Sequence, residues 1–389
     1  MSFQKSEYID RLNKTKISMQ EKGIDTLIAS DPANMYYLSG FNAWSFYMPQ
    51  CLVINLNLDE PLCFVRAQDA GGAFLQLCWS HKNIIVYPEK YIHTPPAHPY
   101  EYLSDKIKER KMDSGTIGLE MDSHYFTATC YLKLKENLPN AKFVDSDFLV
   151  NWIRFIKSDH EIQFMQKAAR NVEIGMKTAI NTIGTHLRQC DLAAEIYRSL
   201  IKGSEENGGD YSSIAPLMPT GKGTSAAHLT WTDKNFETNE ATIIELAGVY
   251  QRYHCPMART VFLGKKNQEK VDMMNKTIEA LEEGMFVIKS GITAGEIAVK
   301  FWAVLDKYKI KKESRTGYSI GVGYPPDWGE RTMNIQKNDP TILKSNCTFH
   351  MIAVIQMGDW GVEVSHSIRV TDGGFKKFSN YPTEIIFKD

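Results

Sequence analysis

The stretch Ile243-Ile244-Glu245-Leu246-Ala247-Gly248 runs on through Tyr250-Gln251-Arg252-Tyr253-His254-Cys255-Pro256-Met257-Ala258-Arg259-Thr260-Val261-Phe262. Its β-branched and apolar residues predict extended structure over 241–263, with Gly248 near the middle. A carboxylate inside such a run must be paired, hydrogen-bonded or protonated. Burial raises a carboxyl pKa and so provides one route to a general acid or base near neutrality. For Glu245 the structural alternative is a salt bridge to a core arginine. Arg259 likewise has two readings, a clamp for a substrate carboxylate or a neutralising partner for Glu245 or another acid nearby.

Two further clusters flank this stretch. Ala226-Ala227-His228-Leu229-Thr230-Trp231 sets one imidazole in an apolar setting, where a lone histidine is more often structural than catalytic. The segment Gly317-Tyr318-Ser319-Ile320-Gly321-Val322-Gly323-Tyr324-Pro325-Pro326-Asp327-Trp328-Gly329-Glu330 is glycine-rich, yet it contains neither GxxxxGK[ST] nor GxGxxG. Its prolines break the helix that a phosphate cradle would open. A shaped loop lining a pocket is therefore expected.

Further out, Ser158 and Glu161 have capping-box spacing and open a helix from 159 to about 182. The domain boundary is placed just before them, giving domains 1–156 and 157–389. Helices are expected near 191–201, 268–288 and 294–308, with strands around 347–355 and 362–371. In the first half, Tyr8, Leu12, Thr15 and Met19 recur at helical spacing ahead of Gly23, which predicts a helix over 6–22. Short β-rich runs at 26–29, 51–56, 61–65, 84–87 and 116–119 alternate with helical patterns, as in a sheet covered by helices.

Composition narrows the function. The 389 residues are enough for two domains. With 45 Lys+Arg against 46 Asp+Glu, there is no electrostatic basis for polyanion binding. Met1 to Lys16 alternates charged with apolar residues, unlike a signal peptide, and no apolar run approaches the ~20 residues of a membrane span. Seven scattered cysteines without a CxxC pair argue against a disulfide framework or a zinc knot. A cytoplasmic protein that binds neither nucleic acid nor membrane is the expectation.

The motifs resemble those of the pita-bread superfamily, which includes methionine aminopeptidase, aminopeptidase P, prolidase and creatinase. Asn34-Met35-Tyr36-Tyr37-Leu38-Ser39-Gly40 is similar to the N-Y-x-x-G element of the creatinase-type first domain. Arg259-Thr260-Val261-Phe262 is similar to R-T-x-F, and His228 falls where the family places a histidine near the substrate. The resemblance implies an α/β (α+β) chain in which an amino-terminal mixed sheet with helices precedes a pita-bread catalytic domain. It also implies a homodimer whose amino-terminal domain closes over the other subunit's site, with Trp44-Ser45-Phe46-Tyr47-Met48 a candidate for that cover.

Peptidases of this superfamily hold two divalent ions with two Asp, one His and two Glu. Carried onto this chain, the first position is Glu245 and the second, eleven residues on, is Pro256. The histidine position is Tyr318, and the two glutamates fall at about Ile352 and at about Ser365 or His366. The resemblance thus implies no dinuclear metal centre and no cofactor. It points to the metal-free branch containing creatinase, and within it to the ectoine hydrolase family. Ser225-Ala226-Ala227-His228-Leu229-Thr230-Trp231 resembles S-A-P-H-L-T-W, Tyr253-His254-Cys255-Pro256 with Arg259-Thr260-Val261 resembles Y-H-C-P and R-T-V, and similarity continues over 315–321 and 324–332. One departure stands out: G-x-E-x-x-E-S is met by Gly361-Val362-Glu363-Val364-Ser365-His366-Ser367, with His366 in place of an acid.

The implied activity is hydrolytic ring opening of a small zwitterionic cyclic amidine to an N-acetyl-diaminobutyrate. An amidinium carbon is electrophilic without a Lewis acid. Glu245 would pair with it and either activate water or attack directly, while His228 moves the proton to the leaving nitrogen. Trp231, Trp360 and Trp44 offer faces to a delocalised cation, worth roughly 0.5 to 2 kcal/mol apiece if desolvated. Tyr318, Arg259, Glu363 and His366 complete the substrate-binding set, with Glu363 contacting the ligand or holding His228. The competing readings are a metal-dependent Xaa-Pro peptidase with unusual ligands and a ligand-binding chain that has lost catalysis.

Overall fold

Four- and five-residue strands, most of them apolar, interspersed with helices build the first unit of the computed structural model, which describes residues 2–388. The strands are β1 (Thr26–Ala29), β2 (Cys51–Asn55), β3 (Leu62–Arg66), β4 (Ile84–Tyr87), β5 (Gly115–Leu119) and β6 (Ala141–Asp145). They form one sheet in the order β4-β3-β2-β1-β5-β6. It is mixed, because β1 runs antiparallel to β2 but parallel to β5. Helices α1 (Lys5–Glu21), α2 (Pro32–Ser39), α3 (Ala70–Gln76), α4 (Pro99–Glu109), α5 (Ala128–Asn137) and α6 (Leu149–Arg154) complete the unit. Compact packing divides the chain after Arg154.

The Asn34 element owes its form to packing. Asn34 donates through Nδ2 to Glu120 at 2.6 Å and to Asn151 at 2.8 Å, and Gly40 closes α2 at φ 76°. Glu120 also accepts from the Ser30 and Asp31 amides at 2.7 Å, tying the start of α2 to the end of β5.

The second unit opens with α7 (Asp159–Thr182) and α8 (Gln189–Lys202) and contains α9 (Gln268–Phe286) and α10 (Ala294–Lys307). The capping box is formed as the spacing predicts: Ser158 Oγ accepts from the Glu161 amide at 3.2 Å, and the Glu161 carboxylate accepts from the Ser158 amide at 2.8 Å. The strands are β7 (Glu240–Tyr250), β8 (Tyr253–Leu263), β9 (Gly317–Tyr324), β10 (Asp327–Asn334), β11 (Thr348–Met357), β12 (Trp360–Thr371), β13 (Gly374–Lys377) and β14 (Ile386–Lys388). Six follow the path β13-β12-β11-β9-β8-β14, while β7 pairs with β8 and β10 with β9. One apolar cluster joins α7 and α8 to β7 and β8, and another joins α9 and α10 to β11 and β12. Among the described residues, no helix is long and apolar enough to cross a membrane.

Two local expectations need correction. The 241–263 stretch is not one extended run but a hairpin whose turn falls at Gln251 and Arg252, at φ 49° and 64°. Gly248 is required because a Cβ there would collide with the Ala168 carbonyl and the Val172 amide of α7. The 317–330 segment is likewise a β-hairpin, β9–β10, rather than a loop. Its glycines answer to close packing, and a Cβ at Gly321 would strike the buried Lys157–Glu330 ion pair.

Candidate active site

Strand alternation decides which side chains meet. On β11, Phe349, Met351, Ala353 and Ile355 enter the core against α9 and α10, so His350, Ile352, Val354 and Gln356 face the other way. On β12, Ser365 lies opposite Ile352 and Glu363 opposite Val354, on that same face. On β7, Glu245 is fixed on both sides, paired with Ala258 of β8 and exchanging backbone hydrogen bonds with Leu217 at 2.8 and 3.0 Å. These faces enclose a cavity of about 210 Å³ whose walls include Glu245, Glu363, Tyr318, His228, Arg315 and Ile352. It is smaller than the ~300–1,000 Å³ usual for drug-sized ligands.

Two carboxyl groups dominate its electrostatics. Glu245 and Glu363 are each 8% exposed. Burial pushes Glu245 up to about 7. Burial raises Glu363 well above the usual range, the charge on Glu245 adds to this, and the Lys312 ammonium opposes it. Burial in turn pushes Lys312 down to about 8, and its Nζ donates to Ser314 Oγ at 2.6 Å. Two acids confined in this way do not both ionise readily without a cation between them.

A neutral network lies beside them. Trp328 Nε1 donates to Tyr318 Oη at 2.7 Å, and Tyr318 Oη lies 3.2 Å from His350 Nδ1. His350 Nε2 is 2.6 Å from Ser365 Oγ, which accepts from the Ala258 amide at 2.7 Å. Burial, reinforced by the charge on Arg259, pushes His350 down to about 3, so the ring is neutral. Glu245 Oε1 stands 4.0 Å from His350 Nδ1.

Of the residues singled out from sequence, Glu245, His228, Tyr318 and Glu363 converge on this cavity. His228 stays exposed, with φ 65°, and no hydrogen bond joins it to Glu363. Arg259 does not join them. It lies opposite Ile244 on the other face of the hairpin from Glu245, where its guanidinium donates to the carbonyls of Ala258, Ser365, Tyr381 and Pro382. It is neither a substrate clamp nor the partner of Glu245.

His366 is also misplaced by sequence reasoning. It is the register partner of Met351 on the core face, 3% exposed, and burial pushes it down to about 2. Ser365, one residue earlier, takes the inward position. Trp231 packs edge-on against Tyr197 with centroids 6.1 Å apart. The ring of Trp360 is already covered by Lys270 Nζ at 4.0 Å. Neither tryptophan lines the cavity. Trp44, in the first unit, is 56% exposed with its ring 4.7 Å from Phe46.

Three contributors were missed. Arg315 lines the cavity, is hydrogen-bonded to Asn334 and stacks 4.5 Å from the Tyr318 ring centroid. Its place within the Arg315–Gly321 motif was the available signal. His350 was legible only from the alternation of β11. Lys312 acts from a polar, lysine-rich segment that gives no sequence signal at all.

The five positions that the resemblance assigns to metal ligands carry Glu245, Pro256, Tyr318, Ile352 and Ser365 or His366. A dinuclear site needs bridging carboxylates to hold ions ~3.5–4 Å apart, and these positions supply one carboxylate. The residues present do not fit such a centre. Among the described residues, no group of three or more His, Cys, Asp or Glu is arranged to hold a metal ion.

Comparison with known proteins agrees with this architecture. Residues 163–372 match the metallopeptidase family M24 model and residues 11–156 the creatinase/prolidase N-terminal domain. The chain is 42% identical to the ectoine hydrolase of Halomonas elongata, over 100% of this chain and 99% of that protein. It is 22% identical to the Xaa-Pro dipeptidase of Pyrococcus furiosus, over 97% of this chain and 99% of that protein. The prolidase structure from Thermococcus sibiricus superimposes with a TM-score of 0.84 at 20% identity, covering 98% of this chain and 99% of that one. At that identity, the likeness concerns the fold.

Proposed function

The chain belongs to the metallopeptidase family M24, and from that premise we propose that it is a hydrolase opening the ring of ectoine or a close cyclic amidine without a dinuclear metal centre. One observation carries the reading: two buried carboxyl groups, Glu245 and Glu363, line one small cavity, while the positions that the resemblance assigns to metal ligands supply a single carboxylate. A pair of acids that resists ionisation on its own is matched by a cationic amidinium, whose arrival lets both hold charge.

In the proposed reaction, water adds to the carbon between the two ring nitrogens, one C–N bond breaks, and the proton given up goes to the departing nitrogen. Glu245 is assigned the central role, as the base that activates water or as the nucleophile itself. His228, exposed at the cavity wall, is assigned the transfer to the leaving nitrogen. Glu363 holds the cation and Arg315 the substrate carboxylate. The working organisation is a creatinase-type domain over 1–156 and a catalytic domain over 157–389, acting as a cytoplasmic homodimer in which Trp44 belongs to the cover.

The test is incubation with ectoine, hydroxyectoine, creatine and a proline dipeptide, with and without chelator, and products read by mass spectrometry. Ectoine consumed to an N-acetyl-diaminobutyrate in the presence of chelator is the expected result. Chelator-sensitive cleavage of the dipeptide alone overturns the proposal.

A further inference from the structure

Counting donors and acceptors around His350 fixes the direction of every hydrogen bond in the network. Ser365 Oγ accepts from the Ala258 amide. Among the described residues its own proton has one acceptor within reach, His350 Nε2 at 2.6 Å. Nε2 therefore carries no hydrogen, and in a neutral ring the proton sits on Nδ1. From there it is donated to Tyr318 Oη at 3.2 Å, since Glu245 Oε1 at 4.0 Å lies beyond hydrogen-bond range. Tyr318 Oη receives a second proton donor, Trp328 Nε1 at 2.7 Å. With both lone pairs occupied, the phenol can only donate.

We infer that Tyr318 is locked as a hydrogen-bond donor into the cavity by Trp328, His350 and Ser365, and that it serves the oxygen that becomes bonded to the substrate's ring carbon. The phenol lines the same cavity as Glu245, and burial, with the charge on Glu245 adding to it, keeps it protonated. On the cyclic-amidine reading, the attacking oxygen, whether Glu245's own or that of the water it activates, is held in the cavity that this O–H faces. A donor fixed in advance needs no reorganisation as negative charge develops on that oxygen. Tyr318 is the catalytic residue of this set, and Trp328, His350 and Ser365 are positioning residues. Tyr318 and Ser365 stand at positions where the resemblance places metal ligands, and with His350 and Trp328 they aim a hydroxyl instead.

The catalytic half rests on the cyclic-amidine reading, whereas the hydrogen-bond chain does not, so the test has two arms. In full-length protein carrying ¹⁵N-labelled histidine, with His350 assigned by the signals lost in His350→Asn, Nδ1 is expected to be protonated and Nε2 bare across the neutral pH range. A protonated Nε2 overturns the inference whatever the substrate. In turnover, Tyr318→Phe is expected to lower kcat by ~10²–10³-fold with KM little changed. A fluorinated tyrosine at position 318 should make kcat fall on the alkaline side, at the lowered phenol pKa, a response that a packing role would not give. A Tyr318→Phe enzyme keeping more than half the parent kcat removes the catalytic role. If the parent does not turn over ectoine while the Nδ1–H form is present, the substrate assignment and the catalytic role fail and the chain of hydrogen bonds stands.

Discussion

Glu245 on β7 and Glu363 on β12 face one cavity from strands that are not hydrogen-bonded to each other, and the charge on the first raises the pKa of the second. A carboxyl group with a raised folded-state pKa favours the folded state while protonated, and that contribution disappears as pH climbs through the raised value. For Glu245 the window runs from 4.5 to about 7, on the order of 3 kcal/mol at ~1.4 kcal/mol per unit. Glu245→Gln mimics the protonated acid. The variant should match the parent's stability near about pH 4.5 and exceed it by a few kcal/mol near about pH 8. Urea unfolding at both pH values checks this, and equal stabilities at the higher pH would contradict the burial argument.

On the acid side, two histidines act in the opposite sense. His350 and His366 are pushed down to about 3 and about 2 by burial. The unfolded chain takes up their protons first, so stability is lost as pH falls below ~6.5. His366 sits on the core face beside Met351, with Nε2 buried and unpartnered. Exchanging a buried polar group without a partner for an apolar one is neutral to stabilising. His366→Leu should keep activity and flatten the acid limb of a melting-temperature profile. His366→Glu, although it restores the family's acid, should destabilise by ~3 kcal/mol or more without raising activity, because its charge would land among Val362, Val364 and Ile368. A gain of activity in His366→Glu would place that side chain in the cavity after all.

The two arginines should separate cleanly. Arg315 borders the cavity with its guanidinium stacked on Tyr318. Arg315→Ala should raise KM for a carboxylate-bearing cyclic amidine by ~10–100-fold, the equivalent of one charged hydrogen bond, and leave an analogue without the carboxylate almost unaffected. Arg259 spends its donors on four main-chain carbonyls. Arg259→Ala should lower stability by ~3 kcal/mol or more, with little effect on KM in the folded fraction. Denaturant titration and initial-rate kinetics on both variants distinguish them, and a KM effect confined to Arg259→Ala would reverse the assignment.

How much could be read from the chain alone follows from which physical rules are local. Helix periodicity and capping act over a few residues, so α7 and its Ser158–Glu161 box were legible, as were the short buried strands of the first unit. The edge strand β6 was missed because half-exposed Ala141, Phe143 and Val144 alternate with the exposed Lys142, which leaves no apolar run. The β9–β10 hairpin is hidden behind Pro325 and Pro326, which suggest a loop, and behind Gly317, Gly321 and Gly323, each held small by a neighbour that is distant in the chain. The site divides in the same way. Glu245 announced itself as a carboxylate inside an apolar strand. His366 and Ser365 differ by one residue, and only the β11–β12 register, Ile352 with Ser365 and Met351 with His366, tells which faces inward.

A cation bound between Glu245 and Glu363 should be measurable through the protons it displaces. In the free protein at neutral pH the pair retains protons, since burial raises both groups and the charge on Glu245 raises Glu363 further. An amidinium reverses the balance by favouring the charged forms, so binding must release protons to the buffer, and affinity must rise with pH until the pair is already ionised. Glu363 also feels the Lys312 ammonium, itself pushed down to about 8 by burial. The Lys312 charge is therefore lost within the same range, and Lys312→Met should enlarge the release. Calorimetry with a non-hydrolysable cyclic amidinium, in buffers of different ionisation enthalpy, gives the proton count directly. Roughly one proton is expected near neutrality, falling towards zero in Glu363→Gln and for an uncharged lactam of the same shape. Proton uptake on amidinium binding, or a count unchanged in both Glu245→Gln and Glu363→Gln, would show that the cation is held elsewhere.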